Sequence, residues 1–540
     1  MIPADLGLPG KFTSFRTGQL EAAIQIGSSG KRFVAHSMPT GAGKSIIYVA
    51  VSSMLDCRTL IATGTKGLQE QLAGDFPGIR DIRGQTNYPC KLLYDRKLKG
   101  SCADGPCHDG ERCELHPMMG NLAGCAFYDA ARAARAARVV VTNYDFWMSV
   151  HRYMEPDLLG RFDLLVLDEA HDAPNKLADF MTIELNRDEC EEHLDSGLPP
   201  VEDGPEAWVE WATEHAKKLG TWLKEYRQEG QRQSEEFRTR ERLWDRLVFL
   251  SLAHSWHRAE GSDPEILMPG RTNDWIGELD EERENAKFSP IWAHRYAEQY
   301  LFCGIPKIVM VSATLLPRTP YYLGVDEAGL DFYEHPSGFH PDRRPVYYLP
   351  TAGIGRRATD GQKRIWLRNI DLILNERGDR KGIVQVTSYD WKDYIAQNST
   401  NRGRLITHNS HTTRQAIEQY RRAGPGAVLV SPSVAQGYDF PYSECEYMII
   451  SKIPFISNAS AIIKARARSD KQYLNYVAAL SLVQRSGRGM RAADDRCETF
   501  IVDDNFVWFR RAAGKMLPRW YQQAIKVVKS VPPAPPRLRS

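Results

Sequence analysis

Short, almost wholly apolar runs punctuate the chain. In the first third they are FVAHS (33–37), TLIAT (59–63), VVVTN (139–143) and LLVLDEA (164–170). Runs without polar alternation, separated by stretches of helical period, predict strands buried on both faces and so a parallel sheet covered by helices. The pattern returns later as KIVMVSAT (307–314), GIVQVTS (382–388), AVLVSP (427–432), YMIISK (447–452) and TFIVDD (499–504). Two such clusters predict two doubly wound α/β domains. The region between them, about 181–300, reads as helical. Trp208, Trp211, Ala212, His215, Leu219, Trp222, Leu223 and Tyr226 recur at helical spacing, and Leu243, Trp244, Leu247, Leu250 and His254 resume it after a polar stretch. That predicts a helical hairpin whose aromatic stripe is packing. The tail VPPAPPRLRS (531–540) is rich in proline and reads as flexible.

Composition adds limits. A chain of 540 residues exceeds what one core of about 250–300 residues supports. Lys plus Arg (70) nearly balances Asp plus Glu (68), so any basic surface must come from arrangement and not from excess. No run approaches the roughly 20 apolar residues that cross a bilayer, and the N-terminus MIPADLGLPGKFTSF lacks the form of a signal peptide. The expectation is an intracellular, cytoplasmic protein without a membrane partner. Ten cysteines are present, and Cys90, Cys102, Cys107, Cys113 and Cys125 fall in one stretch. In a reducing compartment, such a cluster points to metal before disulfides. The remaining five read as core.

Three segments carry nucleotide chemistry. MPTGAGKS (38–45) follows a strand and precedes an apolar run suited to a helix. Thr40, Gly41 and Gly43 let backbone N–H groups wrap a phosphate chain at a helix N-terminus, Lys44 reaches the terminal phosphates and Ser45 ligates Mg²⁺. Met38 stands where the P-loop pattern has its first glycine. LLVLDEAH (164–171) ends a strand in two carboxylates: Asp168 to hold Mg²⁺ and Glu169 to orient and deprotonate the attacking water. In QRSGRGMR (484–491), a helix would align Gln484, Gly487, Arg488 and Arg491 on one face. Gln484 would then meet the γ-phosphate or its water, and Arg488 and Arg491 would serve as arginine fingers.

These motifs, in this order, resemble those of superfamily 2 helicases. FRTGQ (15–19) resembles the adenine-recognition segment, with Arg16 and Gln19 as its contacts. TGTKGLQEQL (63–72) resembles the motif touching the nucleic-acid backbone, through Thr63, Thr65 and Gln69. SAT (312–314) resembles the motif coupling hydrolysis to movement, and SPSVAQGYDF (431–440) the fifth motif, where Gly437 and Asp439 bridge ATP and strand. KIPF (452–455), RGQTNYPC (83–90) and the segment from Gly124 to Phe146 are similar to the XPD/DinG family of iron–sulfur helicases. The resemblance implies two RecA-like motor domains, the first in three pieces (1–84, 129–180 and 301–335) and the second over 336–530. An iron–sulfur domain (85–128) and a helical arch (181–300) would interrupt the first.

It also implies a [4Fe–4S] cluster. Cys90 and Cys125 match the family's outer ligands, and we assign Cys107 and Cys113 as the inner pair, with Cys102 the spare and His108 and His116 bystanders. Thiolate ligation suits zinc as well, and spacing does not separate the two metals. Arg132, Arg135 and Arg138 recur every third residue on the helix expected after Cys125, a basic stripe that reads either as a solvated face or as a strand contact; Arg132 and Arg135 are taken as contacts. The implied activity is ATP-dependent, 5′-to-3′ translocation of a monomer on single-stranded DNA, with unwinding of forked or tailed duplexes in a bacterial or phage-infected cell. The rival reading is an ATP-dependent nucleic-acid clamp that does not separate strands. A nuclease-coupled motor is not expected, since fourteen residues precede Phe15 in this sequence and the arch region shows no carboxylate/His constellation for one.

Overall fold

The computed structural model describes residues 1–39, 41–105, 113, 115, 124–154, 157–200, 203–228, 235–258, 275–280, 285–355, 357–434, 438, 440–457, 460–490 and 495–536. In chain order its strands are β1 (Phe33–Ser37), β2 (Thr59–Thr63), β3 (Ile79–Asp81), β4 (Val139–Asn143), β5 (Leu164–Asp168), β6 (Ile183–Asn186), β7 (Trp275–Asp280), β8 (Asn285–Pro290), β9 (Lys307–Ser312), β10 (Leu330–Glu334), β11 (Val346–Tyr348), β12 (Gly382–Gln385), β13 (Leu405–Ile406), β14 (Val428–Ser431), β15 (Tyr447–Ile450), β16 (Glu498–Ile501) and β17 (Ile525–Val527).

Two parallel sheets organise them. The first runs β10-β1-β9-β5-β2-β4-β3 and the second β13-β14-β12-β15-β16-β11-β17. Each is the doubly wound α/β domain expected from the sequence. The strands read from apolar runs are the inner ones, buried along their length: β2, β5, β12, β14 and β15 show no exposed residue. The unforeseen strands β3, β10, β13 and β17 stand at the sheet ends and β11 next to one, and all are short or half exposed. An edge strand needs cover on fewer sides, so its sequence carries no apolar run.

The region 181–300 departs from the all-helical expectation. Its hairpin of helices, Gly204–Gln228 and Glu235–Arg258, is present and buries Trp208, Leu219, Leu223, Phe237, Leu243, Leu247 and Leu250 in one core. A three-stranded antiparallel sheet, β6-β8-β7, completes that core with Ile183, Leu185, Ala286 and Phe288. This small sheet also reaches the second motor domain. Glu278 on β7 accepts from Ser460 Oγ (3.1 Å) and from Ala461 N (2.5 Å), at the start of helix Ala461–Ser469. Arg466 Nε of that helix donates to the Ile291 carbonyl (2.7 Å).

Two further segments differ from expectation. The carbonyls of Pro532 and Pro535, in the proline-rich tail, accept hydrogen bonds from Arg377 and Arg380, the first at 2.7 Å. Val531 packs against the core of the second sheet. Helix Ala126–Ala136 ends before Arg138, which therefore leaves the predicted stripe and pairs with Asp56 (3.2 Å). No described helix is long and apolar enough to cross a membrane.

Candidate nucleotide site and cysteine cluster

The phosphate loop leaves the carboxyl end of β1 and enters helix Lys44–Met54. Gly41 (φ +77°) and Gly43 (φ +67°) both take the left-handed conformation that side chains resist. A Cβ on Gly43 would lie 2.6 Å from Gln19 Nε2. Gln19, itself buried, donates to the carbonyls of Ala42 (2.7 Å) and Gly43 (3.0 Å), and Arg16 Nη1 donates to that of Gly41 (2.9 Å). The two residues assigned to adenine thus brace the loop from behind. Ser45 is the second residue of the helix. Thr40 lies outside the described residues.

The two carboxylates sit where β5 ends. Asp168 is buried, and its Oδ1 accepts from the Tyr48 hydroxyl at 2.6 Å. Burial pushes its carboxyl above the ordinary range, against the pull of Lys44. Glu169 takes a left-handed φ of +50°, which turns its side chain off the strand axis. Its Oε1 accepts from Lys44 Nζ at 2.5 Å. Its Oε2 accepts from Ser312 Oγ at 3.0 Å and lies 3.3 Å from His171 Nδ1, itself 2.6 Å from Ser312 Oγ. Burial raises the Glu169 carboxyl too, but Lys44 and His171 outweigh it and hold Glu169 well below the usual carboxylate range. Held ionised in this way, Glu169 is a weak base, and it gains basicity only when Lys44 is drawn away from it.

His171 and Ser312 take roles here that the sequence alone does not assign to them. Their place in DEAH and SAT was the available signal. Tyr48, whose hydroxyl reaches the Asp168 carboxylate, and Tyr144, whose hydroxyl donates to the Asp168 carbonyl (2.9 Å), gave none. They acquire meaning only once the fold sets them against β5.

A cleft of about 880 Å³ opens between the two sheets, and Glu169, His171 and Thr314 line it from one side, Gln484 and Arg488 from the other. The expected helical face is corrected here. Helix Tyr473–Ser486 stops with Gly487 as its C-cap, so Arg488 lies past the helix, its carbonyl accepting from Phe440 N (3.3 Å). Glycines at 487 and 489 explain the early end, because glycine favours termination over continuation. Arg491, Gly437 and Asp439 lie outside the described residues.

The nucleic-acid candidates divide. Thr65 caps helix Lys66–Asp75, accepting from Leu68 N, and lines the cleft. Thr63 and Gln69 are fully buried. Thr63 Oγ1 donates to the Thr65 carbonyl (3.2 Å), and Gln69 Nε2 donates to the Ile82 carbonyl (2.8 Å) and to Asp81, tying the helix to β3. Their side chains hold the motif's shape and do not reach its surface. Arg132 pairs with Asp129, and Arg135 with Asp157 at 2.6 Å, which offsets much of the stripe's charge.

In the cysteine-rich segment, residues 88–90 and 100–102 run side by side: Pro89 and Ser101 form an antiparallel bridge and Cys102 N donates to the Tyr88 carbonyl (2.7 Å). This places Cys102, the residue set aside as spare, with its Sγ 4.0 Å from Cys125 Sγ. The contact lowers Cys125, at the start of helix Ala126–Ala136, to about 6 and raises Cys102, as for one proton shared by two sulfurs. Cys90 and Cys113 are both buried, and Cys107 lies outside the described residues. Among the described residues no three such side chains converge in metal-holding geometry. The donor chemistry nonetheless suits a thiolate-bound group: a close thiol pair, with Cys90 buried in the same core.

Known proteins resemble this arrangement. Residues 374–524 match the helicase C-terminal domain, and residues 13–194 match the res subunit of type III restriction enzymes. The ATP-dependent DNA helicase YoaA of Haemophilus influenzae is 25% identical over 212 residues, which is 30% of this chain and 33% of that protein. The match therefore spans about a third of that relative's length. Among solved structures, an XPD helicase superposes with a TM-score of 0.59 at 14% identity, covering 95% of this chain and 99% of that one. Xpd4 of S. tokodaii gives 0.56 at 14% identity, covering 95% and 100%. At such identity the structures speak for the fold, and the family matches speak for the motor halves. With the helicase C-terminal and res-subunit models matching its two halves and the XPD fold extending over 95% of its length, the chain is similar to the XPD/DinG helicases that its motifs resemble.

Proposed function

We propose that this protein is an ATP-dependent DNA helicase that moves 5′-to-3′ along single-stranded DNA as a monomer and opens forked or tailed duplexes. The observation that carries this reading is the network Lys44–Glu169–Ser312–His171, whose Glu169 and His171 line the same cleft as Gln484 and Arg488. Lys44 is the hinge of the network. A bound triphosphate would draw its ammonium away from Glu169, freeing that carboxylate to orient a water and accept its proton. Ser45 and Asp168 would hold Mg²⁺, which supplies charge neutralisation at the phosphates. Arg488 would stabilise transition-state charge from the opposite wall as the cleft closes, and Gln484 would position the γ-phosphate or the water. Ser312, bonded to both Glu169 and His171, would pass the phosphate's state into the SAT segment. Thr65, on the same cleft, would meet the strand's backbone.

An iron–sulfur cluster held by Cys90, Cys125 and two of Cys102, Cys107 and Cys113 would staple a segment too small to bury a core of its own. The place of Cys102 beside Cys125 supports including it in the set.

Lys44→Ala is expected to abolish DNA-stimulated ATP hydrolysis while strand binding persists, and wild-type protein should release the labelled strand of a forked duplex. Turnover surviving in Lys44→Ala would refute the phosphate-loop assignment. Hydrolysis without strand release would favour the clamp reading.

A further inference from the structure

The second motor domain carries an apolar surface that its own fold does not cover. β15 and β16 are neighbours in the sheet, and the segments leaving their carboxyl ends come together. From the first come Phe455 and Ile456, and from the second helix Asn505–Ala513. On that helix Val507 is 40% and Trp508 56% exposed, and Ile456 is 38% exposed. Phe455 sits beside the indole, ring centroids 5.6 Å apart at 57°, and is itself wedged against Phe509 at 6.1 Å. Phe455 therefore blocks the indole from folding back onto the core and leaves much of its surface to solvent.

The surroundings select the occupant. From Asn505 to Arg519 the sequence NFVWFRRAAGKMLPR contains four basic residues and no acid. Arg510, Arg511 and Lys515 are exposed, and the exposed Arg519 pairs with Glu334 at 3.9 Å. A half-exposed tryptophan with Arg511 one turn along its helix, on a segment that carries only basic charge, suits a polyanion that also offers flat π faces, which is the chemistry of an unpaired nucleic-acid strand. An apolar protein partner would gain from Trp508 but not from the surrounding positive charge. The patch also lies at the carboxyl edge of a parallel sheet, the edge where open α/β sheets take their ligands.

We propose that Trp508, braced by Phe455, is a stacking platform for a base of the translocating strand, with Arg511, three residues on along the same helix, beside its backbone. The proposal rests on the reading of this chain as a nucleic-acid motor and adds a contact outside the ATP cleft.

The test is the binding of a fluorescent oligo-dT, by anisotropy, to wild-type protein and to Trp508→Ala and Trp508→Phe, repeated with an oligonucleotide of equal length lacking bases. Trp508→Ala should weaken oligo-dT binding about tenfold, within the range that base–aromatic stacking gives on alanine substitution. Trp508→Phe should retain most of the affinity. On the abasic strand, wild type and Trp508→Ala should bind alike. Equal oligo-dT affinity in wild type and Trp508→Ala would overturn the proposal, as would an equal loss on both strands. DNA-independent ATPase should be unchanged in both variants. Should Trp508→Ala not fold, cross-linking of wild-type protein to 5-iodouracil DNA decides: a peptide containing Trp508 supports the platform, and its absence among the cross-linked peptides refutes it. Absence of any DNA-stimulated ATPase in wild type would instead sink the motor reading itself.

Discussion

His36 shows how much a single side chain settles near this site. It stands on β1, two residues before the phosphate loop begins, fully buried, with Nδ1 2.8 Å from His335 Nε2. Burial, reinforced by His335, lowers its pKa from 6.5 to about 3. Below pH 6.5 the unfolded chain takes up a proton that the folded one refuses. Stability therefore falls as pH drops from 6.5 towards 3, by about 1.4 kcal/mol per unit for this one group. The melting temperature of wild type should decline over that window more steeply than that of His36→Gln, and parallel curves would contradict the account. Gly43 offers a second test. Alanine there meets Gln19 at 2.6 Å and must adopt φ +67°, a conformation costing an L-residue about 1–2 kcal/mol. Gly43→Ala should raise the KM for ATP several-fold in a steady-state assay. An unchanged KM would mean that the loop tolerates rearrangement.

At the level of elements, the sequence was most legible where burial is two-sided. β1, β2 and β4 match the apolar runs residue for residue, since no other pattern keeps a central parallel strand in place. β6, β7 and β8 were not legible. Trp275 to Asp280 and Asn285 to Pro290 mix glycine, charge and proline, and only pairing with one another and with the arch helices makes them strands. The motif residues were found by type and order, but whether a side chain faces ligand or backbone depends on packing. Gln19 and Gln69 both turned inward, and Cys102 moved next to Cys125 because residues 88–90 and 100–102 pair. That pairing gives a prediction. Cys102→Ser should lower the iron and sulfide bound per chain in anaerobically purified protein and bleach its brown colour, whereas a full complement would leave Cys107 and Cys113 as the inner ligands. Colourless wild-type protein carrying zinc would overturn the cluster.

Across the whole molecule, the segment 275–292 reaches from the first half of the chain to the second. Glu278 accepts from the first backbone N–H of helix Ala461–Ser469, and Trp292 Nε1 donates to Ser469 Oγ (2.9 Å) at its other end. A carboxylate capping a helix N-terminus is worth about 0.5–2 kcal/mol. Glu278→Ala should therefore lower the melting temperature by a few degrees and slow strand separation more than ATP hydrolysis. Equal slowing of both would argue that the contact serves only stability.

The central claim is that Lys44, Glu169 and Arg488 act on one triphosphate in a cleft that closes. A crystal structure of the protein with Mg²⁺, ADP and beryllium fluoride measures this directly. The account predicts Lys44 Nζ and the Arg488 guanidinium both within hydrogen-bonding distance of the fluoride or the β-phosphate, with the Lys44–Glu169 contact broken. A nucleotide bound with Arg488 still remote, or with Lys44 still on Glu169, would contradict it.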